Sequence, residues 1–428
     1  MICLLATGVL GHNLHGQTTY TWTQTAGGAQ SWNTGANWSG GSAPNPTASD
    51  TVDFSTVNIA ADTTLSLDAA RTAATWKFGD TSGNNIWVVN TAGQTFSGDL
   101  MITSGSLRFP TLNAWGGTGK NLAFTGNGTL TCDVDGYAGG TLSVSGVSAF
   151  ITAAGNMSFA SVTGSGTITY GNGPKNKTLT LNDASNYTGN LLVYGTYDGA
   201  KTIAFTSIAD SPGAGNLQFG GPGSSDNNQN GKFRLFGNVG PVTFNYRRIE
   251  LLEPTSQNAF RYHYLENNNA SSANTWVINT PMTNRITGKD IELWLQGSNG
   301  GDNEFAGAIS DGQNGKKTKL FKDGNGKWIL SGPNTYTGPT TVNAGTLVLR
   351  GEQSISDTGL LNIVGSSQIE VATKERIQVL QFNGTNAVDG IWGATGYGAP
   401  NTTDRLIGNG RLYVNVPFPP KGTVIIVR

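Results

Sequence analysis

The sequence predicts an all-β protein built as a parallel β-helix, a solenoid closed by a cap at each end. Three observations carry this. Short alternating strands recur about every ten residues, separated by Gly-Asn, Gly-Gly, Asn-Gly and Asp-Gly steps. One stretch, Leu320 to Arg350, runs strand, turn, strand, turn, strand, and degenerate copies of its centre lie upstream. The 428 residues include 61 glycines, while 12% are charged and 37% hydrophobic. That charged fraction is about half the usual ~25%, so Thr, Ser and Asn supply the polarity. The content of β-branched and aromatic residues argues against disorder. Glycine shows no period of three, which excludes collagen.

In chain order, residues 1–16 read as a secretory signal shortened at its start. Ile2 to Leu10 is apolar and Gln17-Thr18-Thr19-Tyr20 breaks it, but no Lys or Arg precedes it and no A-x-A site closes it. The alternative is a first strand. His12 and His15 would leave with the signal. Residues 17–62 are Trp-rich, with Trp22, Trp32 and Trp38. A solenoid must hide its first open rung, and bulky aromatics do that. Exposed Trp could instead stack on sugar rings, but every solenoid needs a cap and few need a lectin site.

Residues 63–350 form the expected solenoid. Thr64-Leu65-Ser66-Leu67, Ile86-Trp87-Val88-Val89 and Thr178-Leu179-Thr180-Leu181 are typical strands. A β-sandwich or a propeller also uses regular short strands. No Trp-Asp signature recurs with the propeller's period of about forty, and the pattern outlasts one sandwich. At about 25 residues per rung the core would hold roughly fifteen rungs and measure about 70 Å. Pro212 to Asn230 reads as a loop projecting from one rung, and Ile291 to Leu295 as an ordinary rung. Residues 351–428 look terminal. Ile377 to Phe382, Asn383-Gly384 and Arg411 to Val414 read as a hairpin and a last strand over the open end. Pro417 to Pro420 ends the order, and Val424 to Val427 is far too short to span a bilayer.

The unit at 320–350 shows the design most plainly. Trp328 and Leu330 fall on one face of a two-residue period, Ile329 and Ser331 on the other. An aromatic, a small residue and Gly recur as Phe96-Ser97-Gly98, Tyr187-Thr188-Gly189, Phe305-Ala306-Gly307 and Tyr336-Thr337-Gly338. In stacked coils, equivalent positions lie about 4.8 Å apart, so Gly should recur where the backbone takes positive φ.

Gly324-Asn325-Gly326, Leu330-Ser331-Gly332, Asn334-Thr335-Tyr336-Thr337-Gly338 and Gly345-Thr346-Leu347 resemble the autotransporter-associated β-strand repeat, or passenger-associated transport repeat. The Trp-rich opening and the closing segment are similar to those of bacterial proteins that carry it. The resemblance implies a right-handed parallel β-helix, secreted or at the cell surface of a Gram-negative-type bacterium. It supplies no shared catalytic residues. It implies a structural or adhesive rod that contacts extracellular glycans or envelope components. The alternative is a carbohydrate-active β-helix enzyme, a polysaccharide lyase or hydrolase. Many relatives export themselves through a C-terminal β-barrel. The end of this chain shows no series of roughly ten-residue amphipathic strands, so another export machine and a truncated gene are both open.

Net charge is −1 without a basic stripe, so nucleic acid is not an expected partner. Of the two cysteines, Cys3 sits in the apolar run and Cys132 reads as a buried small hydrophobe. Asp133-Val134-Asp135 places two carboxylates on one strand face, but Asp135-Gly136 is also a plain turn. Arg247, Arg248, Glu250 and Glu253 make the densest charged group, explained by a solvated strand face or a salt bridge. His263 is the one histidine left after signal removal and reads as a surface residue between two tyrosines. No catalytic residue, cofactor or metal is expected. The binding candidates are Tyr246, Arg247, Arg261, Tyr262, His263 and Tyr264, an aromatic-basic patch of residue types favoured at interfaces. The plain alternative is a solvent-facing rung.

Overall fold

The computed structural model describes residues 17–419, except 92, 95, 111–118, 134–136, 172–175, 195–199, 221–229, 238–239 and 254–261. The expected signal, Val134-Asp135-Gly136, Arg261 and the tail from Pro420 lie outside the described residues. Regular structure among the described residues is strand, plus 3-10 turns at Gly35–Asn37 and Gln313–Gly315. No helix there is long and apolar enough to cross a membrane.

The strands form for the reason their spacing suggests. In Thr178–Leu181 the two leucines are buried and the two β-branched threonines face outward, the pattern of a half-buried pleated surface. Such a strand cannot fold alone. It pairs in parallel with the strand one coil before it, Met157–Gly164, and the one after it, Lys201–Phe205. Repeated along the chain, this makes a parallel β-helix.

Among the described residues its longest sheet, here the long face, holds eighteen strands from Thr19–Thr21 to Thr385–Asn386. Thr178–Leu181 and Asn186–Tyr187 share one level, and Thr385–Asn386 is the antiparallel return of a hairpin, leaving sixteen levels. At about 4.8 Å per level the column is about 70 Å long. Among the described residues the second face holds eleven strands, from Gly28–Ser31 to Thr283–Asn284, and the third holds seven, from Val242–Phe244 to Leu406–Ile407.

The second face hands over to the third mid-column, and coil length decides where. Thr141 pairs with Ser161, a coil of twenty residues with room for two faces. Gly231 pairs with His263, a coil of thirty-two, and there all three faces coexist. Leu320 pairs with Thr340, twenty again, and the second face has ended. The stretch expected as a loop, Pro212 to Asn230, contains the strand Leu217–Phe219, whose Leu217 and Phe219 are fully buried. Two apolar residues bracketing Gln218 were enough to keep it on the second face.

Leu, Ile, Val and Phe fill the column. At its N-terminal mouth Trp22, Trp32 and Trp38 are buried against Phe54, which stacks on Phe78 at 4.8 Å. Buried in this way, these indoles offer no open face to a sugar. At the other end Val379–Phe382 turns back through Asn383 and Gly384, both at positive φ, as a two-residue hairpin requires. Beside it, Lys374–Ile377 pairs in parallel with Arg411–Val414, which pairs antiparallel with Gly390–Ala394.

The repeat residues hold corners and core. Leu330, Tyr336 and Leu347 are buried, and the Tyr336 hydroxyl meets Thr340 Oγ1 at 2.6 Å. Asn334 accepts the Ile309 N–H at 2.7 Å and donates to the Ser354 carbonyl at 2.6 Å, tying three coils. Gly324 and Gly345 both take positive φ in turns stacked one on the other. A Cβ at Gly345 would lie 2.4 Å from the Gly326 carbonyl oxygen, whereas one at Gly365, also at positive φ, would meet nothing within 4 Å. Gly365→Ala should therefore cost only the backbone preference, about 1 kcal/mol. Gly345→Ala should cost about 2–4 kcal/mol, because turns must separate. Equal denaturation midpoints for the two variants would contradict the stacked-turn geometry.

Candidate binding face

The six candidate residues do not form one patch. Tyr246 is 49% exposed at a corner, and the residue after it turns inward. Arg247 is fully buried. Its guanidinium donates to the carbonyls of Gly189 at 2.8 Å, Gly215 at 2.6 Å, Tyr187 at 2.5 Å and Ala209. Its own carbonyl accepts from Thr280 Oγ1 at 2.5 Å. Arg247 is thus a staple through four successive coils. Burial pulls its pKa down to about 10, with Tyr187 and Asp210 pulling the other way, so it stays charged at neutral pH.

His263 is also buried, at 1% exposure, with its ring 5.0 Å from that of Phe219. It shares its side of the strand with Leu265, and Leu265 belongs to the core. The surface identity expected for His263 and for Arg247 is therefore corrected. Of the nearby charges, Arg248 is exposed, as a solvated strand face requires, and Glu250 takes the salt-bridge alternative. Glu250 is 4% exposed and accepts from Arg285 Nε at 2.7 Å, Gln218 at 2.8 Å and Asn216 at 3.0 Å. Burial would raise its pKa, but these donors outweigh it and hold the carboxyl below its usual range.

Tyr262 and Tyr264 do face outward, on the long face, and the register brings them residues that no local motif reveals. Lys232, Tyr264, Trp294 and Phe321 occupy one row across four levels. Tyr262, Glu292 and Lys319 form the row on one side, and Arg234, Glu266 and Gln296 the row on the other. Trp294 and Phe321 stack at 4.3 Å with 9° between planes, Tyr264 lies 5.8 Å from Trp294, and Lys232 Nζ sits 5.3 Å from the Tyr264 ring centre. Each ring spends its faces on its neighbours and shows solvent its edge, so sugar stacking on a ring face is not what this ladder offers.

The flanking charges are prearranged. Glu266 receives both Lys232 and Arg234. Burial alone would raise its pKa, and the two cations overcome that and lower it. Glu292 accepts the Trp294 indole N–H at 3.1 Å, and burial leaves its pKa raised despite that bond and Lys319. Burial, Tyr262 and Glu292 together push the Tyr264 phenol up to about 12, so it remains a neutral donor. The band can hydrogen-bond, pair charges and bury aromatic edges. Among the described residues no cluster of three or more His, Cys, Asp or Glu could hold a metal ion. Trp294 and Phe321 were missed because their signal is a shared place in successive strands, not a spacing in sequence.

Residues 320–349 match the passenger-associated-transport-repeat family. The chain carries this repeat. It sits inside the continuous column, with Thr318–Lys322 and Thr340–Val342 on the long face and Lys327–Leu330 and Thr346–Leu349 on the third. Over 53 residues the chain is 53% identical to an adhesin, the BmaC autotransporter of Brucella suis biovar 1 (strain 1330). The match covers 12% of this chain and 2% of that protein. No solved structure matches.

Proposed function

We propose that the chain is part of a secreted or cell-surface passenger of a Gram-negative bacterium, a non-catalytic adhesive rod. The observation that supports this is the transport repeat lying in register within a column about sixteen levels long. Likeness to an adhesin autotransporter points the same way. Continuous parallel pairing and a filled interior make the column stiff, and stiffness suits a part that holds a surface away from a cell. We assign residues 17–62 and 351–428 to its end caps. Its partners are extracellular glycans or envelope components, met by hydrogen-bonding rows such as Tyr262, Glu292 and Gln296.

A polysaccharide-cleaving reading finds less support. A groove of about 340 Å³ beside the repeat is lined in part by Glu352 and Asp357. Lys374 holds Glu352 at 3.3 Å and Arg376 holds Asp357 at 2.9 Å, so neither is poised as a free acid or base. The test is a glycan and envelope-fraction binding array on the full chain, beside a polysaccharide-cleavage screen. Binding that falls in Tyr262→Ala, with no cleavage, is expected. Cleavage abolished by changing Glu250 and Glu253 would overturn the proposal.

A further inference from the structure

We propose that the long face between Lys232 and Asp323 is a self-association surface, on which a second copy of this chain lies antiparallel. The band differs from the rest of that face. One stretch of the same sheet presents hydroxyls, Thr141 against Ser161 and Ser143 against Thr163. Here three half-buried rings stand in a row between rows of charge. Half-buried aromatic edges on a flat sheet gain free energy when water leaves them.

The charge pattern is self-complementary. Consider a two-fold axis along the strand direction, passing between the levels of Tyr264 and Trp294. It keeps each row on itself and reverses the order of levels, giving an isologous contact. In the middle row Tyr264 then meets Trp294 of the second copy edge against edge, and Lys232 lies opposite its Phe321, with no like charge facing it. On one flank the Tyr262 hydroxyl meets the Glu292 carboxylate. On the other, Glu266 meets Gln296, and Arg234 meets Asp323. Asp323 continues the flanking row, since its N–H donates to the Leu295 carbonyl at 3.0 Å, one place beyond the paired Leu295 and Lys322. The two cations are already held by Glu266, so little side-chain freedom is left to lose on association. The parallel alternative would lay Lys232 on its own image, a like-charge contact that disfavours it.

The inference rests on the geometry of the face and not on the rod's location. Sedimentation equilibrium of the full chain should show a monomer–dimer equilibrium. Trp294→Ala and, separately, Asp323→Lys should weaken it by about tenfold or more, while Tyr246→Ala leaves it unchanged. Asp323→Lys keeps the fold testable should Trp294→Ala unfold, since Asp323 lies outside the core. Arg234→Cys and Asp323→Cys, each in a Cys3→Ser, Cys132→Ala background, should form a disulfide-linked dimer when mixed and none when alone. A chain monomeric at every attainable concentration, a dimer indifferent to both substitutions, or cross-linking by either cysteine variant alone would overturn the proposal.

Discussion

Arg247→Met is expected to destabilise the middle of the solenoid by about 4 kcal/mol or more. The side chain donates to four backbone carbonyls, at Tyr187, Gly189, Ala209 and Gly215. Gly189, Ala209 and Gly215 lie between strands and Tyr187 ends one, and each buried carbonyl left bare costs about 1–3 kcal/mol. Methionine fills similar space with no donor. Arg247→Lys should fall between, because one ammonium with three protons cannot reach four acceptors spread over two coils. Denaturant midpoints would rank the three proteins. Hydrogen exchange offers a sharper reading, with protection lost first at Asn190 and Gly215, whose N–H groups pair with neighbouring coils. Parental midpoints in Arg247→Met would mean that the staple carries no load.

That residue also shows where sequence reading stopped. Strands were legible because period-two alternation is local. Leu179 and Leu181 announce their own burial, and the turns of the repeat announce themselves through glycine. Which face a polar residue joins was only half legible. His263 alternates with Tyr262 and Tyr264 and sits in phase with Leu265, so its inward position was written in the sequence, hidden by the habit of placing histidine outside. Arg247 is likewise in phase with the buried Ile249 and Leu251, but phase alone does not bury a guanidinium. Its burial depends on carbonyls contributed from sixty residues away, at Tyr187. The aromatic ladder lay deeper still. Tyr264, Trp294 and Phe321 become neighbours only once coil lengths of thirty and twenty-seven residues are known, and no residue local to any of the three states those lengths.

Stability of the C-terminal end should fall as pH rises from about 5 to about 8, and Glu375→Gln should abolish that fall. Glu375 is fully buried on the strand Lys374–Ile377, where its Oε2 accepts the Ser354 N–H at 2.9 Å. Among the described residues it forms no salt bridge. The nearby cations are committed elsewhere, Lys374 to Glu352 and Arg376 to Asp357. Burial therefore dominates, Asp357 adds repulsion, and the Ser354 and Ile355 backbones only partly compensate, leaving the carboxyl at about 8 against an ordinary 4.5. The sign follows from proton counting. Below the ordinary value both folded and unfolded chains hold the proton, and stability is complete. Between 4.5 and 8 the folded chain keeps a proton that the unfolded chain has released, so each pH unit removes up to about 1.4 kcal/mol. Above 8 both have lost it and the decline ends. Lys201 and Lys322 act in the next window. Burial lowers each from 10.5 to about 8, so their contribution returns as pH climbs beyond 8 and the unfolded chain gives up its extra protons. The parent should thus be weakest near pH 8, and Glu375→Gln should gain most there while matching the parent at about pH 5. A parental midpoint that is flat or rising between those limits would show that the buried carboxyl is solvated in a way this packing does not allow.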